Sequence, residues 1–391
     1  MKLILLLAFI LSTNAYAQDD INTKGDSEHQ ESHGQKGGMH GGHGHGGEHE
    51  GDKHGGGHGH EGGKHGGDHG HGDEHEGGKH GGGHGHEGGG HGHGHHGMNN
   101  VKQFFEPLPA SIIDAEENAA LIKLGKKLYM DPRLSVNDSI SCNSCHGLNT
   151  YGVDNEPTSP GHEGKRGGRN SPTTMNAALH IAQFWDGRAS DVEEQALGPI
   201  LNPVEMGMPN KGAVVQKIKA IDEYQALFAE AFSEEKHPFN YNNIGVAIGA
   251  FERTLLTPSR FDDFLNGDED ALNKSEKKGL KKFMRMGCAN CHNGVAIGGN
   301  SYKKIGLVEP YDTEDLGRFE VTGIESDKKA FKVPSLRNIA QTGPYFHDGS
   351  VETLDEAIEL MAKHQLGKDV GQGFVKHVKA FLGSLTGKDA P

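Results

Sequence analysis

The chain has 391 residues, a formal net charge of −15 at pH 7, 61 glycines and 28 histidines. This acidic balance argues against nucleic-acid binding, because a phosphate backbone attracts clustered lysine and arginine. The sequence also predicts no membrane span, since no stretch approaches the roughly 20 apolar residues that a spanning helix needs.

The first residues have the composition of a secretory signal peptide. Lys2 gives a positive start, residues 3–11 form a short apolar run, and Ala15–Ala17 is a small-residue cleavage site. These features predict a signal peptide over residues 1–17 that is removed after Ala17. The mature protein is therefore expected to be exported from the cytoplasm.

Residues 18–97 consist almost entirely of glycine, histidine and charged side chains. They contain 20 of the 28 histidines, 14 acidic residues and 5 lysines, and the pattern repeats every 11 residues, as at His49, His60 and His71. The segment has too few apolar side chains to offset the conformational entropy of folding, so we predict that it is disordered. Imidazole is a good ligand for Zn²⁺, Cu²⁺ and Ni²⁺, which predicts metal binding here. The alternative is a flexible, soluble linker.

Residues 98–391 are long enough for two small domains with hydrophobic cores, and their apolar periodicity is mainly helical. Asp114 is a good N-cap for the first helix, and Pro258 ends the fourth. Glycine- and proline-rich loops separate the helices, and strand patterns are sparse. We therefore predict a mainly α fold with one domain over residues 98–260 and a second over residues 261–391. The predicted helices are Asp114–Met130, Gly212–Ile221, Asp222–Phe232, Tyr241–Leu256, Ser275–Met286, Glu352–Lys363 and Val370–Leu385.

A Cys-x-x-Cys-His motif occurs twice in these residues and contains all four cysteines of the chain. The pattern is typical of c-type haem attachment, in which two thiols bond to the haem vinyl groups and the adjacent histidine becomes an axial ligand. Two disulfides or a redox-active dithiol are the alternatives, but neither requires a histidine after each pair. We therefore predict two covalently bound haem c groups. They would be held by Cys142, Cys145 and His146 and by Cys288, Cys291 and His292.

Both motifs lie inside longer strings, among them SCNSCHGLNTYGVDNEPTSPGHEG, GGRNSPTTMNAALHIAQFWDGRA, EEQALGPILNPVEMG and VPSLRNIAQTGPYFHDGS. From about residue 104 to about residue 385, the chain closely resembles the bacterial dihaem cytochrome c peroxidases. The resemblance implies two cytochrome c-like domains, a periplasmic location and a homodimer. It also implies that the N-terminal haem reacts with hydrogen peroxide, and that the C-terminal haem receives electrons from a small cytochrome c or copper protein.

The resemblance assigns a second axial ligand to each iron. His162, in a glycine-rich loop, matches a removable ligand of the peroxide-reactive iron, and glycine suits a loop that must move. Met361 matches the axial methionine of the electron-transfer haem, where a thioether raises the reduction potential. Without the resemblance, His162 would be interpreted as a solvated loop residue and Met361 as part of the core. His364 is a rival ligand one helical turn from Met361.

The resemblance also assigns an acid–base group, an amide and an aromatic bridge. Glu205 matches the residue that moves a proton between the two peroxide oxygens, and Gln195 matches an amide that hydrogen-bonds the peroxide. Trp185, the only tryptophan, matches an aromatic residue between the two haems. Taken alone, Trp185 would be an ordinary core aromatic and Glu205 a solvated acid. Glu193 and Glu194 are expected on a solvated helix face.

A calcium site is a further implication of the resemblance. Family members bind Ca²⁺ between their domains, and the matching positions here are Asn170, Thr342 and Pro344. An asparagine side chain and two backbone carbonyls suit this hard cation. His347 is expected to support the second haem without binding its iron.

Two other functions stay open at the level of sequence. The first is a related dihaem enzyme that oxidises a protein substrate during maturation of a tryptophan-derived cofactor. Those relatives carry tyrosine where this chain has Met361, which favours the peroxidase. The second is a metal-binding protein in which residues 18–97 are the functional part and the haems only transfer electrons. Glu205 and Gln195 disfavour it, because an electron carrier needs no acid–base group beside an open iron.

Overall fold

The computed structural model describes residues 100–388. The predicted signal peptide and the histidine-rich segment lie outside the described residues. No helix within residues 100–388 is long and apolar enough to cross a membrane. The prediction of a mainly α fold is confirmed, because helices connected by irregular loops dominate this part of the chain.

The seven predicted helices are all present within residues 100–388, with shifted ends. Two short strands, β1 (Tyr302–Lys304) and β2 (Ala330–Lys332), pair antiparallel, with Tyr302 opposite Lys332. The helices are α1 Ala119–Met130, α2 Cys142–Cys145, α3 Val192–Leu201, α4 Lys211–Lys219, α5 Asp222–Ala231, α6 Tyr241–Glu252, α7 Arg260–Leu265, α8 Lys274–Met286, α9 Phe319–Thr322, α10 Leu354–Leu366 and α11 Gln372–Gly383. Helices α2, α3, α7 and α9 and both strands were not predicted.

Capping explains two of the shifted helix starts. The Asp114 carboxylate accepts hydrogen bonds from the backbone N–H groups of Glu116 and Glu117, both at 3.0 Å. It therefore caps an isolated turn, and α1 begins only at Ala119. At α10, the Thr353 side chain is the N-cap, so this helix starts two residues later than predicted.

The buried apolar side chains form two separate clusters, and each cluster defines a lobe. The first lobe packs α1 and α3–α6 around residues that include Leu124, Tyr129, Ile200, Phe228 and Ile248. The second lobe packs α7, α8, α10 and α11 around residues that include Phe261, Phe283, Ile358, Val375 and Phe381. A single hydrophobic core stops growing at about this chain length, so the helices are buried around two cores instead of one.

The same close helix crossing occurs in both lobes. A Cβ on Gly125 of α1 would lie 1.8 Å from the backbone oxygen of Ala247 in α6. A Cβ on Gly279 of α8 would lie 1.8 Å from the backbone oxygen of His377 in α11. Only glycine permits backbones to approach this closely. In sequence, α1 and α8 are the helices that precede the two Cys-x-x-Cys-His motifs, so each motif follows a tightly packed helix pair.

The start of the described chain crosses to the second lobe. Val101 and Phe105 belong to the second apolar cluster, whereas all other buried members of that cluster lie beyond residue 260. The Phe105 ring meets Phe261 edge-on, with ring centroids 5.5 Å apart. The Leu108 N–H donates to the Asp262 carboxylate at 2.8 Å. Residues 101–108 therefore tie the first lobe to the second.

A cluster of charges also joins the lobes. The Arg169 guanidinium, which follows the glycine-rich loop of the first lobe, contacts Asp186 in the same lobe. It also pairs with Asp315 at 2.7 Å and with Glu320 at 2.8 Å, both in the second lobe. Because one planar guanidinium binds several carboxylates, it fixes both the distance and the relative orientation of the segments that carry them. This cluster lies directly beside Asn170 and Trp185 in the sequence.

Candidate functional site

The first Cys-x-x-Cys-His motif forms the short helix α2. Ser141 and Ser144 close its start with a capping box. His146 follows, and its Nδ1 lies 3.3 Å from the backbone oxygen of Gly152, to which it can donate. Burial lowers the pKa of His146, so its imidazole is neutral at pH 7. When a neutral imidazole donates its Nδ1–H to a carbonyl, its Nε2 carries a free lone pair and is the atom that can bind a metal.

The second motif repeats this arrangement. Its cysteines lie on a tight turn that begins at Cys288. His292 Nδ1 lies 3.2 Å from the backbone oxygen of Pro334. Burial lowers the pKa of His292 to about 4. Both motif histidines are therefore held as neutral, oriented bases, which is the state that an axial iron ligand requires.

The four cysteines are free thiols, which argues against the disulfide alternative. Burial raises the pKa of Cys142 and of Cys288 to about 12. A redox-active dithiol needs a cysteine whose pKa is lowered towards neutrality. The raised values therefore argue against the dithiol alternative as well.

An apolar cavity adjoins the second motif and fits a haem group. Cys288, Cys291 and His292 contribute to its wall, together with apolar side chains of α8 and α10. Met361 lines the same cavity. A mainly apolar cavity that contains two thiols, a neutral imidazole and a thioether has the donor set for covalent haem c with His/Met ligation.

His364 is directed to other contacts. Its Nδ1 lies 3.1 Å from the backbone oxygen of Glu309, and its ring meets Tyr311 edge-on at 5.2 Å between centroids. It is absent from the cavity lining, whereas Met361 is part of it. Of the two rival ligands, Met361 is therefore the one that the fold places beside the second motif.

His162 is packed against the segment that carries Glu205. Its backbone N–H donates to the Glu205 carbonyl at 2.7 Å, and a Cβ on Gly161 would lie 2.0 Å from the Val204 oxygen. The His162 side chain is only 20% exposed, and its Nδ1 is buried without a hydrogen-bond partner among residues 100–388. The interpretation as an ordinary solvated loop histidine does not fit this environment.

Glu205 is a half-buried acid at a small cavity. Burial raises the pKa of its carboxyl group, although Arg188 and Asn202 oppose the shift. Both of these residues line the cavity with Glu205. Burial also raises the pKa of the Cys145 thiol, and the Glu205 charge adds to this effect. The Glu205 carboxyl group therefore lies within electrostatic range of the first motif.

Gln195 lies on α3, whose N-cap is Asp191. Gln195 is half-buried and lies one turn before Gly198, which lines the Glu205 cavity. The expectation for the two neighbouring acids was right only for Glu194, which is exposed. Glu193 instead forms a two-point ion pair with Arg253, at 2.8 and 2.9 Å.

Trp185 lies at the junction of the two lobes. Its indole Nε1–H donates to the Asn170 carbonyl at 2.9 Å, and its own carbonyl accepts from the Lys332 N–H of β2 at 2.8 Å. The ring lines the cavity of the second motif. Trp185 is therefore fixed to a first-lobe loop on one side and to a second-lobe strand on the other.

Asn170, Thr342 and Pro344 all line the same cavity. The Asn170 N–H donates to the His347 carbonyl at 2.8 Å, which connects the two lobes at this point. Within residues 100–388, no group of three or more His, Cys, Asp or Glu side chains could hold a metal ion. A cation here would therefore depend on amide and carbonyl oxygens, as Ca²⁺ can.

The sequence did not predict two buried charged residues, Glu252 and Lys332. Glu252 is 4% exposed, and burial raises its pKa to about 8, with a further rise from Glu193. Lys332 is 6% exposed, and its Nζ lies 3.2 Å from Nδ1 of His180. No local pattern distinguishes these residues from surface charges, because only the packing of distant segments buries them.

Comparison with known proteins gives a consistent result. A family model described as di-haem cytochrome c peroxidase matches residues 119–270. The cytochrome c551 peroxidases of Nitrosomonas europaea and Pseudomonas aeruginosa are each 46% identical to the chain over 286 and 293 residues, which cover 72% and 73% of this chain and 84% of each relative. A solved MauG-like protein associated with microbial copper homeostasis is 30% identical with a TM-score of 0.63, over 72% of this chain and 95% of that protein.

These identities extend over most of each relative, and the fold agrees with that of a solved relative. The neutral, oriented histidines and the apolar cavity beside Met361 fit the same conclusion. The chain belongs to the di-haem cytochrome c peroxidase family.

Proposed function

We propose that the protein is a periplasmic peroxidase that reduces hydrogen peroxide to water, with electrons from a small cytochrome c or copper protein. In this proposal the lobes over residues 98–260 and 261–391 each hold one covalent haem c. When bound, the two haem c groups supply the redox chemistry, one receiving donor electrons and the other reducing peroxide. The observation that carries the proposal is the contact between His162 and Glu205, because it joins a candidate gate to a candidate acid–base group.

Glu205 is proposed to move the proton that peroxide cleavage requires. Its carboxylate takes a proton from one peroxide oxygen and returns it to the other, which leaves as water. Overall, two electrons and two protons convert one hydrogen peroxide into two water molecules. Burial raises the Glu205 pKa towards neutral pH, which suits a group that must both accept and donate a proton. Gln195, one turn from the cavity, is proposed to orient the peroxide through its amide.

His162 is proposed to block the peroxide site until its loop moves. Its Nδ1 has no partner among the described residues, and its Nε2 lies 3.7 Å from the exposed Glu163 carboxylate. This exposed contact is weak, so the imidazole can leave it to engage a ligand-binding position. Its backbone hydrogen bond to Glu205 means that loop release also changes the surroundings of the acid–base group. Glycines after His162, at positions 164, 167 and 168, have open space around them and offer little resistance to this movement.

Trp185 and Met361 are proposed to serve electron delivery. Trp185 is held between Asn170 and β2, which supports a role as an aromatic bridge between the lobes. Met361 would bind the iron of the second haem together with His292, because both line one cavity. Methionine at this position, where protein-oxidising relatives carry tyrosine, favours peroxidase chemistry over cofactor maturation.

The remaining assignments complete the proposal. Asn170, Thr342 and Pro344 are proposed to bind Ca²⁺ at the lobe junction, and the protein is proposed to act as a homodimer. The histidine-rich segment, residues 18–97, is proposed to bind Zn²⁺, Cu²⁺ or Ni²⁺ without taking part in peroxide reduction. Imidazole donors in a glycine-rich chain can gather around such ions.

Peroxide turnover by the holoprotein with a reduced cytochrome donor tests this proposal. Glu205→Gln should lower turnover by about 10²–10⁴-fold while both haems stay attached, because general acid–base catalysis contributes on that order. Glu230→Gln is the matched control, since Glu230 is exposed on α5 and should leave turnover unchanged. A Glu205→Gln variant within a few-fold of the wild type would show that another group moves the proton.

A further inference from the structure

Lys332 and His180 form a buried polar pair that the proposed reaction does not use. Lys332 is on β2 and His180 is in the first lobe, and the two side chains meet at 3.2 Å between Nζ and Nδ1. Lys332 is 6% exposed. A buried ammonium group is costly unless a partner compensates its charge.

The partners available within the described chain do not compensate this charge. Lysine has three N–H donors and no acceptor, and the hydrogen bond to His180 uses one of them. His180 Nδ1 must accept this bond, so its other nitrogen, Nε2, carries the hydrogen. That Nε2 is buried and has no partner among residues 100–388. The pair therefore presents unsatisfied donors and needs an acceptor from outside the described side chains.

The cavity that the pair lines indicates the charge of this acceptor. Lys332 and His180 both line the apolar cavity beside Cys288, Cys291 and His292. The described residues around this cavity include Lys303 as a second lysine and no aspartate or glutamate. A site with cationic and donor groups and without acids favours an anion. Carboxylates bind such donors through short, charge-assisted hydrogen bonds.

We propose that Lys332 and His180 bind the two propionate carboxylates of the haem c attached at Cys288 and Cys291, Lys332 one and His180 the other. This inference rests on the haem assignment proposed above. The propionates are the anionic groups of haem c, and the attachment residues line the same cavity as the pair. The ammonium group of Lys332 supplies a donor to one carboxylate, and Nε2–H of His180, on the far side of its ring from Lys332, supplies a donor to the other. Both members of the pair then have acceptors, and the buried ammonium charge is compensated.

The position of the pair gives the site a second consequence. The Lys332 backbone N–H donates to the Trp185 carbonyl at 2.8 Å, and Trp185 lines the cavity. The residue that holds the propionate is therefore also hydrogen-bonded to the backbone of Trp185 at the lobe junction. Lys332 is a positioning residue in this scheme, and its charge stabilises the reduced form of the second haem.

Redox titration of the holoprotein tests the proposal. Lys332→Met should shift the midpoint potential of the His292 haem to a lower value, because a buried cation beside the propionate is lost. It should also shift the propionate bending band in the resonance Raman spectrum. Lys303→Met is the matched control, because it removes the same charge from an exposed side chain on the same cavity. Solvent screens that charge, so its shift should be much smaller.

Three outcomes would overturn the inference. The first is an unchanged midpoint potential and Raman band in Lys332→Met, and the second is an equal shift of the potential in Lys303→Met. The third is a wild-type midpoint potential that depends on phosphate concentration, because this dependence indicates a free anion at the site. If Lys332→Met does not fold, a crystal structure of the wild-type holoprotein decides. A propionate oxygen within hydrogen-bond distance of Lys332 Nζ supports the inference, and a propionate directed elsewhere contradicts it. Absence of covalent haem from the wild type would instead refute the proposed function.

Discussion

Gly279→Ala should destabilise the second lobe, because this glycine permits the closest helix contact there. The added Cβ would lie 1.8 Å from the backbone oxygen of His377 and 2.8 Å from the Cβ of Phe381. A Cβ atom essentially never comes within 3.0 Å of such a neighbouring heavy atom. The backbones of α8 and α11 must therefore move apart by about 1 Å to make room for it. Overpacking lowers the unfolding free energy by roughly 1–3 kcal/mol. The higher helix propensity of alanine than of glycine raises it by about 1 kcal/mol. Because the obstacle is backbone, we expect a net loss of about 2 kcal/mol in unfolding free energy.

Urea unfolding of the holoprotein, followed by far-ultraviolet circular dichroism and by haem absorbance, measures this effect. Gly373→Ala is the control, because Gly373 is exposed on α11 and nothing lies within 4 Å of its added Cβ. It should be neutral or stabilising by up to about 1 kcal/mol. A Gly279→Ala protein as stable as the Gly373→Ala protein would refute the close helix crossing.

Three further predictions concern the gate, a buried acid and the N-terminal segment. The fully oxidised holoprotein should be nearly inactive until one electron reaches the Met361 haem. His162→Gly should be active in both the oxidised and the half-reduced state. Equal activity of the wild type in these two states would contradict the gate. Burial raises the pKa of Glu252 from 4.5 to about 8. Between these pH values the folded protein keeps a proton that the unfolded chain releases. The unfolding free energy therefore falls as pH rises. Glu252→Gln should therefore lose less unfolding free energy than the wild type between pH 5 and pH 8, and an unchanged pH dependence would exclude a buried neutral Glu252. Deletion of residues 19–97 should abolish most non-haem metal uptake, measured by plasma emission spectrometry, and leave turnover nearly unchanged; lost turnover with both haems attached would place this segment in the catalytic machinery.

Short-range patterns predicted the helices and both attachment motifs. The apolar spacing of Tyr241–Leu256 led to α6, and the local Cys-x-x-Cys-His pattern located the two neutral histidines. Each of these features depends on residues within a few turns of one another. The Asp114 prediction was wrong because a good cap can close a lone turn as well as a helix.

Features built from distant segments could not be predicted in this way. The hydrogen bond between His162 and Glu205 joins loops more than 40 residues apart, and the pair of Lys332 with His180 joins the two lobes. In the sequence, Lys332 and Glu252 look like surface charges, because burial is a property of the whole fold. The family resemblance supplied candidate residues, whereas the packing of the lobes gives Glu205 its raised pKa.

The stoichiometry of donor oxidation distinguishes a peroxidase from a protein that only decomposes peroxide. Limiting hydrogen peroxide would be added to half-reduced holoprotein in the presence of excess reduced cytochrome c, and donor oxidation would be followed by absorbance. A peroxidase should oxidise two donor molecules for each peroxide consumed, because the reduction of peroxide to water takes two electrons. Peroxide loss with release of oxygen and without donor oxidation would contradict the proposed function.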